Sequence, residues 1–465
     1  MRRSEKSAEA IVPGDREGPN GRESEAAMSL GEGQPQKTGQ LELPFGRPGE
    51  ARGAGRSGEP SPAASGDARS GTWRLMEEVV CPSNLKAALR RVKQNKGSSG
   101  IDGMSVDELP AWLWANWQGL REALLAGSYQ PSAVKRHTIP KPGGGERELG
   151  IPTVVDRLIQ QAMLQVLQPR FDPGFSDHSY GFRPGRRAHD AVRRAQGYVQ
   201  EGRRWVVDVD LAKFFDRVNH DVLMGKLEAR IGDKRMLGLI RRYLDAGVMV
   251  SGVVIERHEG TPQGGPLSPL LANVLLDEVD KELEKRGHAF VRYADDCNVY
   301  VRSRRAGERV LAGLQRLYAR LRLQVNEAKS AVDLAVRRKF LGFSFWVAAE
   351  GRIKLRAAGK ALGAMKAKVR ELSNRNRGRS VPTVVADLAG YLNGWREYFR
   401  LADTPGVFRD LDKWIRHRLR CLQLKQWKRG RTVFRELRAR GMSVVEAAQV
   451  AANTRRWWQD SALKL

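Results

Sequence analysis

The chain has 465 residues and a formal net charge of +28, from 81 Lys/Arg against 53 Asp/Glu. That length suits two or three domains and excludes a single small module. No run approaches the roughly 18 consecutive apolar residues of a membrane span. The charge is uneven: residues 1–70 hold ten Lys/Arg and eleven Asp/Glu, so the remainder carries 71 basic against 42 acidic groups. A folded body that basic repels itself unless an anionic partner offsets it, and nucleic acid is the first candidate. Cys81, Cys297 and Cys421 lie far apart with no C-x-x-C pair, which argues against a disulfide framework and a Cys-based zinc site. The N-terminus is acidic and lacks an apolar core segment. It fits neither a secretory signal nor an organelle transit peptide, so a reducing cytoplasm is expected.

Residues 1–70 contain twelve Gly and seven Pro without an apolar period, and are expected to form a disordered tail. Order is expected from about Trp73. After Pro82-Ser83, the spacing of Leu85, Ala88, Leu89 and Val92 predicts a helix that Gly97 stops. Lys96–Gly103 is a turn-rich loop, and His137–Leu149 predicts a hairpin with basic arms around a Gly-rich turn. Helical spacing returns over Val154–Leu167, then residues 172–187 form a loop rich in Asp, Gly, Pro and Arg. Arg203–Asp210 has the β-branched pattern of a strand. Its Trp205, Val207 and Val209 share one face, and Val206, Asp208 and Asp210 the other. Ser268-Pro269 predicts the N-cap and first residue of a helix ended by Gly287. Phe290–Val301 predicts a hairpin with Asp295-Asp296 at its tip. Beyond Gly359 the chain becomes helical and Trp-rich, and residues 361–465 carry 23 Lys/Arg against 9 Asp/Glu, which marks this end as the more basic one.

Two adjacent carboxylates at a hairpin tip repel and gain little unless a cation bridges them. Oxygen donors without sulfur suit Mg²⁺. An isolated Asp-Asp is more often a solvated turn, but the context here differs. Asp210 ends an apolar strand upstream, and between the two acidic sites Thr261–Leu271 forms a glycine-bearing loop feeding a helix. Strand acid, glycine loop with helix, and hairpin acids is the order in which palm-type polymerases assemble a two-metal site. That chemistry sets the cations about 3.5–4 Å apart, one activating a 3′-hydroxyl and one steadying the leaving pyrophosphate.

Tyr293-Ala294-Asp295-Asp296 resembles the Y-x-D-D box of reverse transcriptases, VDLAKFFDRVNHD (209–221) their motif A, and TPQGGPLSP (261–269) their motif B. SYGFRPGRRAHDA (179–191) and the Tyr391–Trp427 tract are similar to group II intron reverse transcriptase/maturases. These five collinear blocks belong to a likeness that runs from about residue 75 to the end of the chain. It implies an α+β right-hand polymerase: fingers and palm of antiparallel sheet plus helices, a helical thumb and a helical maturase domain. The expected division is a tail over 1–70, fingers and palm over 71–350, a thumb region over 351–380 and the maturase domain over 381–440. The short tract 441–465 stands in the place of a remnant DNA-binding region. Ser380-Val381-Pro382 resembles the linker into the maturase helices, and Phe340–Trp346 the primer-grip hairpin.

The same resemblance implies residue roles. Asp210, Asp295 and Asp296 match the catalytic acids that bind two Mg²⁺. Asp208 shares the strand face with Asp210, so spacing alone does not choose between them, whereas the family pattern, five residues before Phe215, favours Asp210. Phe215 matches the steric gate against the sugar 2′ position, beside the plain reading of a palm core aromatic. Lys141 and Arg147 match the fingers residues that grip the triphosphate. Gln263 and Gly264 match the turn beside the nascent base pair, and Lys329 the general acid that protonates pyrophosphate. Arg183 and Arg186 are expected at the template backbone. Arg416, Arg418 and Arg420 are expected on intron RNA through phosphate neutralisation, while Trp395, Trp414 and Trp427 either stack on bases or hold the helices together. No Cys/His cluster accompanies Trp457-Trp458, so the H-N-H endonuclease of many relatives is not expected. The implied activity is RNA-directed DNA polymerisation with RNA template, DNA primer and dNTPs, in a protein that also binds group II intron RNA to assist splicing and retrohoming into target DNA. No membrane partner is implied, and the expected setting is the cytoplasm, near the nucleoid when acting on DNA. The alternatives are a maturase-only RNA-binding splicing factor and a retron- or defence-associated reverse transcriptase.

Overall fold

The computed structural model describes residues 74–140, 146–250, 253–255, 259–261, 264–452 and 458. The expected tail, Lys141, Gln263 and Trp457 lie outside the described residues. After α1 (Leu75–Val79), helix α2 (Pro82–Asn95) buries Leu85, Ala88, Leu89 and Val92 and ends on left-handed Lys96, one residue before Gly97. Helix α3 (Leu109–Ala126) is absent from the expectations above. It buries Leu109, Leu113, Trp117, Leu120 and Leu124, a helical row that its run of tryptophans obscures. Strands β1 (Val134–Pro140) and β2 (Glu146–Ile151) form the expected antiparallel hairpin. Helix α4 (Val154–Phe171) follows, capped by the Thr153 hydroxyl accepting from the Asp156 N–H.

The central sheet is assembled from distant segments. After α5 (Ala188–Gln200) comes β3 (Trp205–Val209), then α6 (His220–Glu228), α7 (Lys234–Asp245) and the short strands β4 (Val248–Val250) and β5 (Val253–Ile255). The latter two extend the first hairpin into a sheet of order β2-β1-β4-β5. Helix α8 (Ser268–Lys285) leads into β6 (Ala289–Tyr293) and β7 (Asp296–Val301), followed by α9 (Arg304–Arg320) and β8 (Ala331–Leu334). The resulting sheet has order β6-β7-β3-β8. Leu267 stands at the cap position of α8 and Ser268 is its first helical residue, so the helix begins one position earlier than expected. The Ser268 hydroxyl instead meets the Thr261 hydroxyl at 3.0 Å, both buried.

Strand β3 is buried on both sides, which accounts for its nearly continuous apolar character. Val207 and Val209 enter the main core with α8 and α9, and Val206 enters a second core with α5 and the last sheet. That last sheet, of order β11-β10-β9, comprises β9 (Lys339–Phe340), β10 (Phe343–Val347) and β11 (Ile353–Ala357). The C-terminal helices are α10 (Gly359–Leu372), α11 (Val381–Tyr398), α12 (Pro405–Trp427), α13 (Gly430–Ala439) and α14 (Val444–Ala452). Ser380 caps α11 by accepting from Thr383 N–H, so Val381 and Pro382 belong to the helix rather than to a linker. Tyr398 docks α11 on the second core: its hydroxyl donates to the Leu341 carbonyl (3.0 Å), and its own carbonyl lies 2.7 Å from His189 Nε2.

The glycine-rich loop before α5 packs behind the β6–β7 turn. Tyr180 N–H donates to the Arg292 carbonyl and Arg292 N–H to the His178 carbonyl, each at 2.9 Å. A Cβ on Gly181 would stand 2.2 Å from the Ala294 backbone nitrogen, closer than any side chain tolerates. Gly181→Ala is therefore expected to destabilise the chain by about 1–3 kcal/mol through overpacking. Urea denaturation measures this, and unchanged stability would contradict the packing described.

Candidate active site

Asp210 and the hairpin acids meet through strand pairing. In the β3–β7 ladder Val209 faces Cys297 and Asp208 faces Asn298. The next positions along are Asp210, just past β3, and Asp296, the first residue of β7. Directly opposed residues of an antiparallel pair point to the same side, and adjacent strands run about 5 Å apart. Cys297 and Val209 project into the main core, so Asp210 and Asp296 share the opposite face. Tyr293 pairs with Asp296 across the hairpin, which leaves Ala294 and Asp295 as its two-residue turn. Ala294 has φ 56°, as such turns demand, and without glycine this conformation costs roughly 1–2 kcal/mol. Asp210, Asp295 and Asp296 are all half-buried.

The two acids on the β3 face have different surroundings. Asp208 is buried and accepts from Arg338 Nη2 at 2.6 Å and Nε at 3.1 Å. Arg338 Nη2 also donates to the Lys329 carbonyl at 3.1 Å. Asp208 is therefore a structural acid joining β3 to the segment after β8, which leaves Asp210 at the open strand end. The backbone of Asp210 is stitched to the Lys329 loop: its N–H donates to Ser330 Oγ (3.0 Å), and its carbonyl accepts from Asn326 N–H (2.8 Å). Lys329 itself is exposed beside them.

Two further segments border this face. The half-buried Phe215 ring packs edge-on against Phe214, with centroids 5.1 Å apart. The Phe215 carbonyl accepts from Thr261 N–H at 2.7 Å, so the ring stands next to the start of the glycine loop. Gly264, at φ 135°, lies so close to β2 that a Cβ would approach the Gly150 carbonyl to 2.5 Å. That contact sets the glycine loop against the hairpin carrying Arg147, which pairs with Ile139.

The donor chemistry fits a hard divalent cation: three carboxylates stand at adjoining strand ends, and the neighbouring thiol of Cys297 is turned into the core. Among the described residues, no three Asp, Glu, His or Cys side chains are already gathered tightly enough to hold an ion.

The expected RNA contacts divide. Arg183 is a correction: Nε donates to Asp172 Oδ1, Nη1 to the Ser176 and Ser179 carbonyls, and Nη2 to the Asp172 carbonyl and Oδ2, at 2.6–3.2 Å. All five N–H groups are spent inside the fold, so none remains for a phosphate. Arg186 is half-buried over Tyr180 and pairs with Asp177, whose carboxyl it holds below the usual range. Arg418 also turns inward, donating to Ser373 Oγ at 2.8 Å and lying 5.4 Å from the Trp414 ring centre. Burial lowers its pKa. Arg416 is exposed and pairs with Asp412, and Arg420 lies one turn further on α12. Sequence reading missed Arg338 and Ser330. Arg338 sits in the basic run Arg337–Lys339, which does not single it out in sequence, and a serine 120 positions from Asp210 gives no signal either.

A family model described as reverse transcriptase (RNA-dependent DNA polymerase) matches residues 139–345, and one for the group II intron maturase-specific domain matches residues 362–441. Protein YkfC of Escherichia coli (strain K12) is 39% identical over 219 residues, covering 46% of this chain and 58% of that protein. Group II intron-encoded protein LtrA of Lactococcus lactis subsp. cremoris is 36% identical over 209 residues, covering 45% of this chain and 35% of that one. The chain thus spans less than two thirds of the length of either relative. A solved chain of a Cas6-RT-Cas1–Cas2 complex aligns over 53% of this chain and 42% of its own at 26% identity, with TM-score 0.35, too loose a superposition to argue from. Both matched regions lie in one chain in this order, so it carries a reverse transcriptase region followed by a group II intron maturase-specific region and is similar to the group II intron-encoded protein LtrA.

Proposed function

We propose that the chain is an RNA-directed DNA polymerase that copies RNA templates from a DNA primer with dNTPs, and that it grips group II intron RNA to assist splicing and retrohoming into target DNA. The observation that carries the first half is the β3–β7 register, which sets Asp210 and Asp296 side by side next to Asp295. In this reading the three carboxylates hold two Mg²⁺ ions. Held there, the ions would supply activation of the primer 3′-hydroxyl and neutralisation of charge on pyrophosphate. Lys141 and Arg147 grip the triphosphate, and Phe215 excludes a 2′-hydroxyl by overlap. Gln263 and Gly264 flank the nascent base pair. Lys329, tethered through Arg338 and through its loop's bonds to Asp210, protonates pyrophosphate. The division into fingers and palm (71–350), thumb region (351–380) and maturase domain (381–440) belongs to the same proposal, with the work done in the cytoplasm. No helix among the described residues is long and apolar enough to cross a membrane.

The second half is supported by a basic stripe on α12. Arg409, Lys413 and Arg416 are exposed, and with Arg420 they recur at i, i+4, i+7 and i+11 along one face. Arg418 lies on the inward side of that helix.

Purified protein with Mg²⁺ and dTTP is expected to extend oligo(dT) on poly(rA), with synthesis abolished by EDTA. A protein that binds intron RNA but makes no product would contradict the polymerase reading. Charge reversal of Lys413 and Arg416 together is expected to weaken intron RNA binding and to lower its salt slope by about 1 per lost phosphate contact, while poly(rA) copying persists. Filter binding across a salt series measures this, and equal intron affinity would contradict the assignment of that face.

A further inference from the structure

Directly behind the acidic turn lies an arginine with no access to solvent. Arg292, the residue before Tyr293, and Asp280 of α8 are both completely buried. Arg292 Nε donates to both Asp280 oxygens at 2.8 and 2.9 Å, and Nη2 to Asp280 Oδ2 at 2.6 Å and to Ser179 Oγ at 2.7 Å. Nη1 donates to Asn273 Oδ1 at 2.9 Å and to the Ala294 carbonyl at 2.8 Å. Asn273 in turn donates to the Gly181 carbonyl at 3.0 Å. The guanidinium therefore ties α8 and the loop before α5 to the turn that carries the acids.

Stability alone does not call for this arrangement, because a buried ion pair is often no better than apolar residues of similar volume. What an apolar side chain lacks is a donor for the Ala294 carbonyl. That carbonyl belongs to the residue held at φ 56°, a backbone state that a residue with a Cβ leaves unless its surroundings fix it. We infer that Arg292 is a positioning residue for the metal-binding acids: through the Ala294 carbonyl it holds the turn in the conformation that presents Asp295 and Asp296 beside Asp210. This inference rests on the polymerase reading and extends it to a residue that touches neither substrate nor ion. A lysine at this position keeps the charge for Asp280, but its single nitrogen cannot fork to Asp280, Ser179 and the turn at once.

The test compares wild-type chain with Arg292→Lys in three measurements: thermal unfolding, primer–template affinity, and Mn²⁺ binding followed by electron paramagnetic resonance. Single-nucleotide incorporation is measured alongside. Outer groups that orient metal ligands are commonly worth 10–100-fold. The variant is therefore expected to unfold cooperatively and bind primer–template within about twofold of wild type, yet to bind Mn²⁺ and incorporate dTTP at least about tenfold more weakly and slowly. Mn²⁺ affinity and rate both within twofold of wild type would overturn the inference. Should Arg292→Lys not fold, the pair Arg292→Met with Asp280→Leu replaces it, leaving no unpaired buried charge while removing the donor to the Ala294 carbonyl. A selective loss of Mn²⁺ affinity there supports the inference, and none overturns it. A wild-type chain that neither binds Mn²⁺ nor extends a primer removes the polymerase reading together with this inference. A fully active wild type matched by its variant removes the inference alone.

Discussion

The pairing of β3 with β7, Val209 opposite Cys297, is the constraint on which the acidic site depends. A slip of one residue would turn every side chain of β3 to the other face, sending Asp210 toward the main core and Val209 toward Asp296. Burial on both faces prevents that slip: Val207 and Val209 fill one core and Val206 the other. Asp208 adds a polar lock, since only this register brings its carboxylate to Arg338. The site is thus fixed by packing some distance from any reacting atom.

Arginine does two kinds of work in this basic chain. Arg183 and Arg292 spend all five N–H groups on interior acceptors and act as cross-links between segments. On α12, Arg409, Lys413 and Arg416 instead stay exposed at the surface. The tryptophans of the same region follow the structural course. Trp395 packs 4.6 Å from Phe399, Trp414 lies between Arg370 and Arg418, and Trp427 sits under Arg440 at 4.7 Å. Net charge alone therefore overstates the nucleic-acid surface.

The parts of this architecture written in local order were legible from sequence. The face alternation of β3, the apolar row of α2, the two hairpins and the helix after Ser268 all follow from spacing and turn chemistry, which need only near neighbours. What escaped depends on partners far along the chain. Asp208 and Asp210 are equivalent by spacing until Arg338, 130 residues away, claims the first. Arg183 and Arg186 sit in one loop with the same basic character, yet Asp172 and three carbonyls absorb only the first. Gly181 looks like one more loop glycine until the Ala294 backbone is set against it.

If Asp210 and Asp296 serve one shared site, their effects on catalysis cannot be independent. A double-mutant cycle on primer extension, with Asp210→Asn, Asp296→Asn and both together, measures that coupling directly. Groups acting as a unit are strongly non-additive, so the double variant is expected to be about as slow as the slower single one. Losses that multiply across the two positions would contradict a common site and with it the account of this fold.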